Sequence, residues 1–177
     1  MRLNTMLGHF ARAMNTTAIQ QALTPLVGLP LRSIGRAANL LWLHFGEMRE
    51  VATRRGGTKT VGDWAIHVQC AWLLCRDGRI VVAYRDYYYS PDGDALDDWD
   101  TPGKSRFDQS ATALSVEFAS ASPSVLSVTT DDVGGFSLAL GHDYRLDVFP
   151  DDSSHDEYAE HWRLFEPQAD SEHFVVP

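Results

Sequence analysis

Apolar and polar residues alternate through most of this chain, and a period of two predicts strands. The clearest case is residues 64–74, where Trp64, Ile66, Val68, Cys70, Trp72 and Leu74 fall on one face. His67 and Gln69 lie on the other. A tight turn at Arg76-Asp77-Gly78 returns the chain as an antiparallel strand over 79–89. Residues 40–45 alternate as well, with Leu41, Leu43 and Phe45 opposite Trp42 and His44. The apolar run 26–34 is interrupted by Pro30 and reads as an edge strand. Alternation resumes over 125–130, 136–140, 144–149, 161–165 and 173–176.

Two stretches follow a helical period instead. Leu3, Leu7, Phe10, Met14 and Ala18 predict a helix over 4–22, closed by Thr24-Pro25. Phe107, Ala111, Leu114 and Phe118 predict a second over about 105–119. Its start, Ser105-Arg106-Phe107-Asp108, has the form of a capping box. The polar segments 47–63 and 90–104 read as loops.

These elements predict an α+β fold of mostly antiparallel sheet. Residues 1–25 form a helical arm and 26–177 a single domain. An internal echo suggests two meander-like halves, 26–89 and 120–177. Leu41-x-Leu43-x-Phe45-Gly46 is matched by Phe136-x-Leu138-x-Leu140-Gly141, and Trp64-x-Ile66-x-Val68 by Tyr144-x-Leu146-x-Val148.

Charge divides the chain. The net of −9 is the sum of +7 over residues 1–85 (11 Lys+Arg, 4 Asp+Glu) and −16 over 86–177 (4 Lys+Arg, 20 Asp+Glu). That balance argues against nucleic acid, whose binding needs excess cations. It suits a basic protein partner or a homo-oligomer in which unlike halves meet. No apolar run is long enough for a membrane helix. Residues 1–17 lack a secretory h-region. Cys70 and Cys75, five apart in one predicted strand, point to opposite faces and cannot bond there. Two reduced thiols suit the cytoplasm.

Candidate chemistry is sparse. His155 and His161 are six apart, which on a helix sets them on different faces. The segment is better read as a loop entering a strand, with Trp162 and Leu164 inward and His161, Arg163 and Phe165 outward. Asp92–Gly103 fails the calcium-loop pattern, and Arg54–Thr60 fails the phosphate-loop pattern. No metal or other cofactor is expected. His44 and His67 share the polar faces of two strands and predict a polar pocket near Arg145 and Asp147. Tyr87 and Tyr88, with Trp99, are candidate recognition groups on an acidic surface. The leading expectation is a non-enzymatic binding protein, of immunity or antagonist type, that meets a basic partner through its acidic half. The alternative is a small hydrolase or ligand-binding protein using the His44 and His67 pocket.

At His67-Val68-Gln69-Cys70-Ala71-Trp72, Ser105–Asp108, Val148–Asp152, Glu160–Phe165 and His173–Val176, the chain resembles an uncharacterised family of bacterial hypothetical proteins. The likeness spans roughly 26–177. It implies a bacterial cytoplasmic protein and no activity.

Overall fold

A computed structural model describes residues 16–53, 56–153 and 159–177. The predicted helix is described from Thr16 as α1 (Thr16–Leu23); its earlier part and His155 lie outside the described residues. Strands β1 (Leu31–Ala37) and β2 (Leu40–Phe45) follow. Next come β3 (Arg49–Ala52), β4 (Thr58–Val61), β5 (Trp64–Val68), β6 (Ala71–Arg76) and β7 (Arg79–Ala83). After α2 (Arg106–Ala121) come β8 (Val125–Thr130), β9 (Phe136–Leu140) and β10 (Tyr144–Phe149). The last two are β11 (Trp162–Phe165) and β12 (Phe174–Val176). The fold is therefore α+β, with twelve strands in antiparallel sheets among the described residues.

Two five-stranded sheets carry the core. The first has the order β1-β2-β5-β11-β12 and the second β7-β6-β10-β9-β8; β3 and β4 form a separate hairpin. Their inward side chains make one cluster, including Leu43, Ile66 and Leu164 from the first sheet and Leu74, Leu138 and Leu146 from the second. Phe136 of the second sheet meets Trp162 of the first edge-to-face at 4.8 Å. Both rings are buried, so the pair joins the sheets through the dry interior. The helix α2 packs against β1 and β7, the edge strands of different sheets, and α1 packs against β8.

The predicted strand 64–74 is two strands in different sheets, divided at Gln69-Cys70. Both sheets bury the same side of the chain, so apolar alternation runs through the corner unbroken. Period two reports which side faces the core and is blind to a change of sheet. The two cysteines are accordingly not on one strand; both are buried and free, and burial pushes the Cys70 thiol up to about 12. The predicted 79–89 strand also stops early, at Ala83, and continues as a 3₁₀ turn over Tyr84–Tyr88. The predicted loop 47–63 contains the β3-β4 hairpin.

Each sheet draws on both chain halves, three strands from one and two from the other, so neither half is a separate meander. The strand order β1-β2-β5-β11-β12 has the same plan as β8-β9-β10-β6-β7. Registers correspond as well: Leu41↔Val68 and Leu43↔Ile66 in the first sheet, Phe136↔Val148 and Leu138↔Leu146 in the second. A bulge interrupts β1 between Leu31 and Ser33 and β8 between Val125 and Ser127. The two strand entries touch reciprocally, Leu31 N–H donating to Pro123 O and Val125 N–H to Leu29 O, each at 2.9 Å. Trp162 and Trp72 hold matching places, but their indoles differ. Trp162 Nε1 donates to Gly134 O at 2.8 Å, whereas Trp72 Nε1 and the nearby Tyr87 hydroxyl are buried without a protein partner among the described residues.

The capping box forms as its sequence predicts. Ser105 Oγ accepts from Asp108 N–H at 3.2 Å, and Asp108 Oδ2 accepts from Ser105 N–H at 3.1 Å. The same carboxylate takes a bidentate pair from Arg36 of β1, with both bonds at 2.7 Å. Asp108 thus starts α2 and ties it to the first sheet.

Candidate functional site

Because Leu41, Leu43, Ile66, Val68, Trp162 and Leu164 point into the core, their neighbours must point out of the first sheet. Strand register then sets a row of Trp42, His67 and Arg163 across β2, β5 and β11. The next row is His44, Ala65 and Phe165. The structure thereby brings together three residues singled out in the sequence, His44, His67 and Arg163. His161 directly precedes β11, two residues from Arg163, with Gln69 N–H donating to His161 O at 2.8 Å.

Aromatic contacts knit the face. Trp42 and His44 stack at 5.0 Å, His67 meets Phe165 edge-on at 4.8 Å, and Phe165 stacks on His173 at 4.4 Å. Ser33 Oγ lies 3.3 Å from His44 Nδ1. Arg163 is paired with Glu160 and donates through Nη1 to His173 Nδ1 at 3.3 Å, which makes that nitrogen the unprotonated one.

The β3-β4 hairpin is inserted between β2 and β5 and stands beside this face. Its base is fixed by Glu47 N–H donating to Asp63 Oδ2 at 2.7 Å, and by Arg49, which reaches Glu47 at 2.7 Å and Asp63 at 3.5 Å. Val61 is buried. Val51 and Lys59 are cross-strand partners and therefore share a hairpin face. Both line an open cleft of about 730 Å³, with Ala52, Thr53, Pro167 and Gln168. Lys59 also acts electrostatically on both imidazoles.

Burial, helped by nearby cations, holds the imidazoles neutral. Burial, then His67 and Lys59, drives His44 down to about 4. Burial and the Arg163 guanidinium drive His67 to about 4 as well, with Glu160 opposing and Lys59 and His173 adding to the fall. Among the described residues, Lys59 has no carboxylate at ion-pair distance, whereas Arg163 and Arg49 do.

The matching face of the second sheet is built otherwise. At its centre Asp147 is held by Arg145 Nε at 2.8 Å and by the Ser137 hydroxyl. The connection between β9 and β10 is the short turn Gly141-His142-Asp143, with no hairpin. Arg145 and Asp147 therefore do not adjoin His44 and His67. The sequence expectation fails because pairing of β5 with β2 and β11 puts the histidines on one sheet, and pairing of β10 with β6 and β9 puts the acid on the other.

The remaining candidates lie elsewhere. Tyr87 is wholly buried, 4.7 Å from the Phe107 ring and beneath the Arg36 guanidinium at 5.6 Å. It is a core residue, because the 3₁₀ turn replaces strand alternation. Tyr88 donates to the Tyr84 hydroxyl at 3.1 Å and meets Trp99 at 5.0 Å. These two half-buried rings anchor the acidic 90–104 loop, which is further tied by Leu96 N–H to Tyr88 O at 2.9 Å and by Lys104 to Asp98.

Sequence reasoning missed Lys59, Trp42, Glu160 and His173 as members of the site. The alternation in Arg49–Ala52 and Thr58–Val61 was the available signal for the hairpin. Among the described residues no group of three His, Cys, Asp or Glu side chains is placed to hold a metal ion. Ser33 and His44 are within reach of each other, but no described carboxylate hydrogen-bonds the imidazole to orient it as a base. No described helix is long and apolar enough to cross a membrane. Compared with protein-family models, curated proteins and solved structures, the chain matches none.

Proposed function

We propose that this chain is a non-enzymatic binding protein whose ligand site is the cleft between the β3-β4 hairpin and the turn that follows β11. The observation that carries the reading is the departure from the common sheet plan. Two sheets share strand order and register, and among the described residues only the first has a hairpin inserted between its second and third strands, where Lys59 lines the cleft. A built feature beside convergent polar groups is the usual form of a ligand site. The common plan itself is best accounted for by descent of both halves from one unit. The bacterial resemblance and the free buried thiols support a cytoplasmic setting.

A direct test replaces residues 47–62 with a short turn copied from Gly141-His142-Asp143. A small-molecule thermal-shift screen then compares wild type, this variant and Lys59→Glu, each checked for native circular dichroism. Hits that stabilise the wild type and neither variant support the cleft. Hits that stabilise all three equally contradict it.

A second reading, engagement of a basic protein partner, is favoured by the 90–104 loop. Asp92, Asp94 and Asp97 are exposed there on a backbone fixed by Tyr88, Ser90 and Trp99, so a cationic surface meets a preformed acidic one. Binding of a cationic peptide that weakens steeply with salt and is lost in Asp92→Asn/Asp94→Asn/Asp97→Asn supports this reading. Salt-independent binding contradicts it.

A further inference from the structure

A second cavity, of about 260 Å³, opens between α1 and the end of the first sheet where β5 begins. It shares no lining residue with the Lys59 cleft. Facing α1 across it are Trp64, Leu164 and Phe174, with Glu166 and Glu172 in the same lining. Trp64 alternates with the buried Ile66 along β5, and Phe174 is the cross-strand partner of the buried Leu164. Both rings therefore stand on the inner side of the sheet. They pack on the core yet are only half-buried, so each keeps ring surface for a ligand.

Charge around this cavity has one sign. Its lining holds two carboxylates and no Lys or Arg. Glu47, Glu117 and Glu160 each pair with an arginine, whereas among the described residues neither Glu166 nor Glu172 has an ion-pair partner. The chain's own arginines lie over the rings of Tyr87, Tyr144 and Tyr89, and no described cation covers Trp64 or Phe174. A concave apolar site with two uncovered aromatic rings and two unpaired carboxylates attracts a cation with an apolar skin. We infer that this cavity binds the methylated ammonium group of a small organic cation, held by Trp64 and Phe174 and drawn in by Glu166 and Glu172. The negative ring faces attract the charge. A methylated group is cheap to desolvate, whereas a bare ammonium is strongly hydrated. The volume lies just below the roughly 300–1,000 Å³ usual for drug-sized ligands, which suits a compact head group. Glu172 is exposed, so its part of the attraction is screened by salt.

The experiment is an NMR titration of the full chain, followed through its tryptophan indole N–H resonances. The probes are choline, its uncharged tert-butyl isostere, and glycine betaine. Choline should give a saturable shift of the Trp64 indole and leave that of Trp99, in the 90–104 loop, in place. The isostere should bind about tenfold more weakly, the order expected for loss of a cation–π contact. Betaine carries its own carboxylate toward Glu166 and Glu172 and should also bind more weakly than choline. Glu166→Gln/Glu172→Gln should weaken choline about tenfold and leave the isostere unchanged, which separates loss of charge from loss of fold. Trp64→Leu keeps an apolar side chain without the ring, and should weaken choline more than the isostere. No saturable shift at Trp64 with choline would overturn the inference. Equal binding of choline and its isostere would show an apolar hollow with no preference for charge, and would overturn it too. So would choline binding that is unchanged in both variants.

Discussion

The Trp42 indole lies directly over Gly35, its cross-strand partner, so close that a Cβ at residue 35 would stand 2.0 Å from Trp42 Cζ2. Glycine is thus needed at Gly35 for space. The packed indole in turn supports the His44 ring at 5.0 Å, so an edge-strand glycine fixes one wall of the candidate site. Gly35→Ala should force Trp42 outward and cost about 1–3 kcal/mol, the usual range for overpacking. Urea unfolding measures the cost, and the His44 Cε1–H resonance should move as the stacked ring leaves.

The Arg36–Asp108 pair is the strongest polar tie between α2 and the first sheet. Its side chains are only 5% and 15% exposed. Arg36→Ala leaves the Asp108 carboxylate without its bidentate partner and should cost about 3–5 kcal/mol. Burial alone would raise the Asp108 carboxyl, but hydrogen bonds from Arg36 and from the Ser105 backbone and hydroxyl outweigh it and bring it down to about 2. The folded value lies below the unfolded one, so this contribution is present above about pH 4 and is lost as pH falls toward 2. Stability against pH by circular dichroism should fall over that window in the wild type and be flatter there in Arg36→Ala.

His44 and His67 act over a different window. Each is lowered to about 4 in the fold, first by burial, against about 6.5 when unfolded. Below pH 6.5 the unfolded chain takes up protons that the folded one refuses. Stability is therefore greatest above pH 6.5 and falls as pH drops toward 4, with each ring adding at most about 1.4 kcal/mol per pH unit. His44→Gln and His67→Gln should each flatten the denaturant midpoint between pH 6.5 and 4. An unchanged slope in both would show that the rings titrate normally.

Strand identity and facing were legible because burial imposes period two residue by residue: Leu41, Leu43 and Phe45 are all fully buried, as the alternation of 40–45 predicts. The capping box was legible because its two hydrogen bonds are local in sequence. Sheet membership was not. Val68 and Trp72 both face the same core, and the corner between them at Gln69-Cys70 leaves no mark in hydrophobicity. That lost corner also explains the site. His44, His67 and Arg163 were each visible as outward polar residues, but their meeting depends on β11 pairing with β5 across 93 residues of intervening chain, between Val68 and Trp162. Lys59 was hidden because its polar hairpin has no buried stripe beyond Val61. Tyr87 misled because a 3₁₀ turn turns a side chain inward that strand alternation leaves ambiguous.

The most direct test of the cleft is a proton NMR titration of the histidine Cε1–H resonances with a hit from the thermal-shift screen. His142 is the internal control, since it lies in the β9-β10 turn with Nε2 3.0 Å from Ala121 O. The predicted result is saturable shifts at His44 and His67, with His142 unmoved and no shifts in Lys59→Glu. Shifts at His142 alone, equal shifts at all three, or shifts that survive Lys59→Glu would contradict it.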